Sequence, residues 1–209
     1  MKNATKHAED LRSLLKRLVR ECRPEPRQPL DPLHALVRGA MSFDVPDGRA
    51  DDAMAAIGRE FVDLNELRVA TELEVQEMLG TKYPAIERRV SMITQALNAI
   101  FEKEHTLSLD RLKTLSKRDA RQYIKDLPDV HPFVEAYTML FGFDGHAVPL
   151  DEMMLQYLKD KGVLESSTTL EEAQKFLEHA VKTEEHYELY ASLRRAALEN
   201  NVAAGKKKK

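Results

Sequence analysis

The sequence predicts an all-α fold, and three observations point there. Apolar residues recur at intervals of three and four along most of the 209 residues. Capping residues stand where those runs begin. No segment alternates β-branched and polar residues as a half-buried strand would.

The first helix is expected over about Thr5 to Arg20, with Leu11, Leu14, Leu15, Leu18 and Val19 on one face. Three prolines between Arg23 and Pro29 break it. Asp31-Pro32 reads as an N-cap followed by a first-turn proline, opening a helix that carries Leu33, Leu36, Val37, Ala40 and Met41. Asp44 to Gly48 reads as a polar turn, and a helix from Asp51 to Glu60 turns Met54 and Ile57 inward. Short helices follow near Asp63 to Val69 and Thr71 to Leu79, the second opened by a Thr71/Glu74 capping box and closed by Gly80. The longest helix, about Pro84 to Glu104, has a stripe of Ile86, Val90, Ile93, Leu97 and Ile100. Helical segments then run from Ser108 to Leu115, Ser116 to Lys125 and Phe133 to Phe141, the last two joined by a tight turn at Leu127 to Pro132. Phe133, Ala136, Tyr137 and Leu140 share one face. After a loop at Gly142 to Pro149, helices are expected from Asp151 to Lys161, Thr169 to Lys182 and Glu184 to Glu199, with a frayed end beyond.

Composition narrows the class. Hydrophobic residues make up 43% and charged residues 32%, an ordinary globular balance. No run of eighteen apolar residues exists, so no membrane span is expected, and no secretory leader is visible. A single cysteine, Cys22, forms no internal disulfide and no metal site alone. A cytoplasmic protein without metal or cofactor is expected. The net charge of −3 hides an uneven distribution. Residues 82–125 hold 10 Lys/Arg against 5 Asp/Glu, while residues 126–205 hold 6 against 15. A basic surface in the middle of the chain could meet phosphates, and the Lys206–Lys209 tail adds four positive charges; both also read as ordinary solvated surface.

The turn between the two helices at 116–125 and 133–141 carries the functional argument. A tight turn into a helix points backbone N–H groups outward, and with the helix dipole behind them they can hold a phosphate oxygen whatever the base sequence. The segment Leu127-Pro128-Asp129-Val130-His131-Pro132-Phe133 resembles the Leu-Pro-Gly-Val-Gly-x-Lys hairpin of the helix-hairpin-helix DNA glycosylases of the endonuclease III type. Val148-Pro149-Leu150-Asp151 is similar to that family's loop ending in Val-Asp, and Lys161-Gly162-Val163-Leu164 to the turn after the next helix. Upstream, Asp31-Pro32-Leu33 through Phe43-Asp44 looks like the Ser-Pro-Phe through Ser-Ala-Gln segment. The resemblance covers roughly residues 8 to 198.

The resemblance implies an all-α, endonuclease III-like fold: two helical lobes around a cleft, with a helix-hairpin-helix motif. Residues 28–143 would form a six-helix lobe with the hairpin motif at about 116–142, and residues 1–27 plus 144–200 a second lobe. Residues 201–209 would be a disordered basic tail. It implies base-excision repair of double-stranded DNA, gripped through its phosphates by a monomer. Val130, His131, Lys113, Lys117, Arg118, Arg121 and Lys125 would bind DNA, and Asp151 falls on the catalytic aspartate. Asp151 also reads as a plain N-cap, and the two roles can coexist.

Several family residues are replaced. Phe133 stands where bifunctional members have the lysine that forms a Schiff base, so no lyase step is expected. At that position it also reads as a core aromatic. The hairpin glycines are Asp129 and His131, the glutamine that fills the gap left by a flipped base is Asp44, and the cluster-binding cysteines are missing. The sequence therefore reads as a monofunctional glycosylase or, alternatively, a catalytically inactive descendant that binds DNA or a protein.

Overall fold

The computed structural model describes residues 4–206, and every regular element in that range is helical. The chain divides into two compact units. One is Pro29–Gly145. The other joins the chain before it to the chain after it.

The Pro29–Gly145 unit holds seven α-helices, against the six expected. These are α2 (Pro32–Ser42), α3 (Asp47–Glu60), α4 (Leu64–Val69), α5 (Glu72–Leu79), α6 (Ile86–Glu104), α7 (Lys117–Lys125) and α8 (Pro132–Gly142). The 108–115 segment is a 3-10 turn, Asp110–Thr114. The caps explain the starts. The Asp31 carboxylate accepts the Leu33 and His34 amides at 2.9 and 3.2 Å, and Thr71 with Glu74 closes a reciprocal capping box. Helix α3 begins a turn earlier than its apolar spacing suggests. Pro46 supplies the first carbonyl acceptor, bonded by the Arg49 and Ala50 amides, and Asp47 complements the dipole of the first turn.

Helices α2 and α8 pack closely because glycines let them. A Cβ on Gly142 would lie 2.8 Å from the Pro32 Cα, and one on Gly39 would lie 3.2 Å from the Tyr137 Cβ. Backbone cannot retreat as a flexible side chain can. Gly142→Ala is therefore expected to destabilise the protein by about 1–3 kcal/mol, read from urea unfolding. An unchanged midpoint would mean the two helices can separate freely. The expected α6 stripe from Ile86 to Ile100 is buried throughout, and Arg89 is buried among it.

The second unit comprises α1 (Ala4–Cys22), α9 (Glu152–Asp160), α10 (Leu170–Ala180) and α11 (His186–Lys206), with a 3-10 turn at Thr183–Glu185. Leu11, Leu14, Leu15 and Leu18 of α1 are buried, as are Leu189, Leu193 and Ala197 of α11, and the two helices pack together. Thr169 and Glu172 form the expected capping box on α10. Helix α11 continues through the Val202-Ala203-Ala204 run to Lys206, past the end expected near Glu199. Alanine favours the helix. Lys207 to Lys209 of the basic tail lie outside the described residues. No described helix is long and apolar enough to cross a membrane.

Candidate functional site

The hairpin lies within the Pro29–Gly145 unit. Ser116 caps α7 by accepting the Asp119 amide, and Ala120, Tyr123 and Ile124 bury its inner face. The chain turns through Leu127 to Val130, with Asp129 at φ +51°, a left-handed conformation that asparagine and aspartate tolerate better than most residues. Asp129 therefore adopts a backbone conformation that would also suit a glycine.

The N-terminus of α8 is closed by its own residues. The His131 Nδ1 accepts the Phe133 amide at 3.1 Å, and its carbonyl accepts the amides of Val134 and Glu135. Pro132 has no N–H. The Val130 amide turns back on the Leu127 carbonyl at 3.5 Å. An imidazole that accepts at Nδ1 carries its proton at Nε2. The ring lies flat on Phe43, with centroids 4.5 Å apart and planes 5° apart. Phe133 also meets the rings of Phe43 and Tyr137. Phe133 is fully buried and packs as a core aromatic.

The five basic candidates divide into two groups. Lys113 pairs with Asp110 at 2.6 Å, Lys117 donates to the Phe143 carbonyl, and Arg121 pairs with the buried Glu135 at 2.5 Å. Arg118 and Lys125, seven residues apart on α7, are exposed and make no ion pair among the described residues.

Asp151 belongs to the other unit. Its Oδ1 accepts the Met154 amide at 3.0 Å, capping α9. Its Oδ2 accepts from the Arg194 guanidinium at 3.1 Å. Both side chains are buried, at 0% and 3% exposure. The segment leading to Asp151 is fastened by further polar contacts. The Val148 amide donates to the buried Glu178 carboxylate at 3.2 Å, and the His146 ring meets Thr183 Oγ1 at 2.8 Å and the His186 ring at 4.3 Å between centroids. Arg194 and Glu178 are absent from the sequence-based candidates. Arg194 had a legible signal, since it falls within the helical spacing of the buried Tyr190, Leu193 and Ala197.

No family model and no curated protein matches this sequence. Solved structures do. A trapped endonuclease III–DNA covalent intermediate superposes with a TM-score of 0.71 at 13% identity, over 89% of this chain and 84% of that one. The fold is that of endonuclease III. An 8-oxoguanine glycosylase/lyase from Clostridium acetobutylicum, in complex with double-stranded DNA containing cytosine opposite 8-oxoguanine, gives 0.73 at 17% identity, over 95% of this chain and 71% of that one. A 3-methyladenine DNA glycosylase from H. pylori, bound to 1,N6-ethenoadenine, gives 0.68 at 13% identity, over 96% and 98%.

The iron–sulfur cluster implied by the resemblance to endonuclease III does not fit these residues. Such a cluster takes four thiolates, and Cys22 is the sole cysteine. Among the described residues no group of three or more His, Cys, Asp or Glu could hold a metal ion.

His186 gives the site region a pH dependence. Burial, and then the neighbouring His146, hold its imidazole below the ordinary value of 6.5. The folded state thus binds the proton less readily than the unfolded state. The stability tied to this group is complete above about pH 6.5 and is lost as the pH falls through the lower folded value. Melting temperature is expected to drop on acidification from pH 7.5 to 5, and His186→Gln is expected to flatten that drop. Parallel curves for the two proteins would assign the acid sensitivity elsewhere.

Proposed function

We propose that this chain is a monofunctional base-excision DNA glycosylase, which hydrolyses the N-glycosidic bond of a damaged or mismatched base without a lyase step. The observation that carries this reading is Asp151, a carboxylate fixed as the N-cap of α9, at the position that the sequence resemblance aligns with the family's catalytic aspartate. Such a carboxylate can stabilise an oxocarbenium-like sugar electrostatically or orient a water. Oδ1 is tied into the helix by Met154, so Oδ2 would reach a sugar only by loosening its bond to Arg194. The buried Phe133 offers no amine for a Schiff base. Double-stranded DNA would be held by its phosphates, through Val130 and His131 of the hairpin and through Lys113, Lys117, Arg118, Arg121 and Lys125. Of these basic residues, Lys113 and Arg121 would have to give up an ion pair and Lys117 its bond to the Phe143 carbonyl, whereas Arg118 and Lys125 would not. The reading makes the chain a monomer.

A second reading, a catalytically inactive DNA- or protein-binding descendant, is favoured by a different observation. The Asp151 carboxylate has no exposure and shares one oxygen with a buried guanidinium. One experiment separates the two. Folded protein is incubated with duplexes containing uracil, thymine mismatches, oxidised bases and alkylated bases, and base release is followed. Release that disappears in Asp151→Asn supports the glycosylase. Salt-dependent duplex binding with no release on any substrate supports the inactive binder.

A further inference from the structure

Helix α1 carries a charge pattern that the fold does not use. Residues 1–28 hold eight Lys/Arg against four Asp/Glu. Opposite the buried leucines of α1, Arg12, Lys16 and Arg20 are all exposed. They are four residues apart, so they follow one another at about 6 Å along the helix axis. Arg23, just past the helix end, is also exposed. None of the four makes an ion pair among the described residues. Arg12 reaches the Ala180 carbonyl at 3.4 Å, a neutral acceptor that leaves its charge unbalanced. One acid, Glu9, shares the face.

Elsewhere the chain treats this spacing differently. Glu171 pairs with Lys175 at 2.6 Å and Arg195 with Glu199 at 3.1 Å, each four residues apart. Like charges at that spacing repel and weaken a helix, so three in succession are a cost that the fold itself does not repay. Beside the line, Lys6, Arg17 and Lys161 border an open depression of about 460 Å³, with Asp10 as its one acid. A small anion needs donors that converge on one point. These cations are strung out along a helix, which suits a linear polyanion.

We propose that the solvent face of α1, through Arg12, Lys16 and Arg20, is a second binding surface for the phosphate backbone of double-stranded DNA, separate from the hairpin and α7. This rests on the reading of the protein as DNA-binding. The contact carries no base specificity and adds affinity that falls steeply with salt.

The test is the affinity of the full chain for an undamaged 30-base-pair duplex, by fluorescence anisotropy across a salt series. The proteins are wild type, R12Q/K16Q/R20Q and R118Q/K125Q, with folding checked by circular dichroism. All five positions are exposed, so the variants should fold. Each lost phosphate contact lowers the slope of log affinity against log salt by about 0.9, so the α1 variant should lose about 2.7 from it. A wild type that binds and an α1 variant with an unchanged slope overturn this proposal and leave the DNA-binding reading standing. A wild type that does not bind even at low salt overturns both. Binding to phosphatidylserine vesicles that depends on the three residues, with duplex binding unaffected, would assign the face to a membrane surface and also overturn the proposal.

Discussion

Asp151→Ala is expected to destabilise the protein by about 3–5 kcal/mol, whatever its effect on catalysis. Two losses combine. Alanine cannot accept the Met154 amide, and removal of such a cap typically costs about 1 kcal/mol. The larger loss is the counter-charge of Arg194, whose guanidinium would stay buried without its partner carboxylate. A buried charge left in this way costs more than the pair contributed when intact. Replacing both residues by apolar ones of similar volume, Asp151→Leu with Arg194→Met, should therefore recover much of the lost stability. Urea unfolding of the two single variants and the double variant checks this. An alanine variant within 1 kcal/mol of wild type would show that Arg194 finds water or another acceptor. The consequence for enzymology is practical. Loss of base release in an alanine variant would mix unfolding with chemistry. Asn can keep the cap through its side-chain oxygen while removing the charge, so Asp151→Asn is the substitution to read, at a temperature where the protein remains folded.

Much of the fold was legible because its signals are local. The Thr71 and Thr169 capping boxes, the Asp31-Pro32 start and the Ile86-to-Ile100 stripe each depend on residues within a few turns, and each appears as read. The start of α3 was not legible. Asp44 to Gly48 has turn composition, and only the position of Pro46 makes Asp47-Gly48 a first helical turn. The basic face of α1 does not show in the net charge of its region, because residues 1–81 together carry 12 Lys/Arg and 15 Asp/Glu. What sequence spacing could not supply is partnership across the fold. The spacing marks Asp151 as an N-cap, but its bond to Arg194 joins residues 43 apart in sequence. The turn at Leu127 to Pro132 was legible from its prolines, whereas the use of the His131 ring as the cap of α8 depends on a side-chain orientation that no spacing encodes.

Arg89 is the other position where one substitution should have a large effect, and its environment explains why. In sequence it falls in phase with Ile86, Val90 and Ile93, where a core residue belongs. It is 1% exposed, and burial pushes its guanidinium down to about 10. It survives there because its donors are used. Nε bonds the Pro84 carbonyl at 2.7 Å, and the two Nη atoms bond the carbonyls of Ala40 and Phe43 at 2.5 and 2.7 Å. Ala40 lies in the last turn of α2, where carbonyls have no partner within the helix, so Arg89 closes that end from another helix. The guanidinium carbon also lies 3.8 Å from the Phe43 ring centroid, and Phe43 is stacked on His131. Arg89→Met is expected to cost about 3–5 kcal/mol through three under-satisfied carbonyls and the lost cation–π contact. Arg89→Lys should recover little of it, because a single ammonium cannot reproduce a planar fork. Hydrogen exchange should report faster exchange at residues 43–45, where the clamp is lost, and at Phe133, whose amide is capped by the ring that rests on Phe43. A lysine variant with wild-type stability and exchange would show that charge alone holds this loop. Faster exchange at both places would tie the hairpin cap to an arginine 42 residues before His131 in the chain.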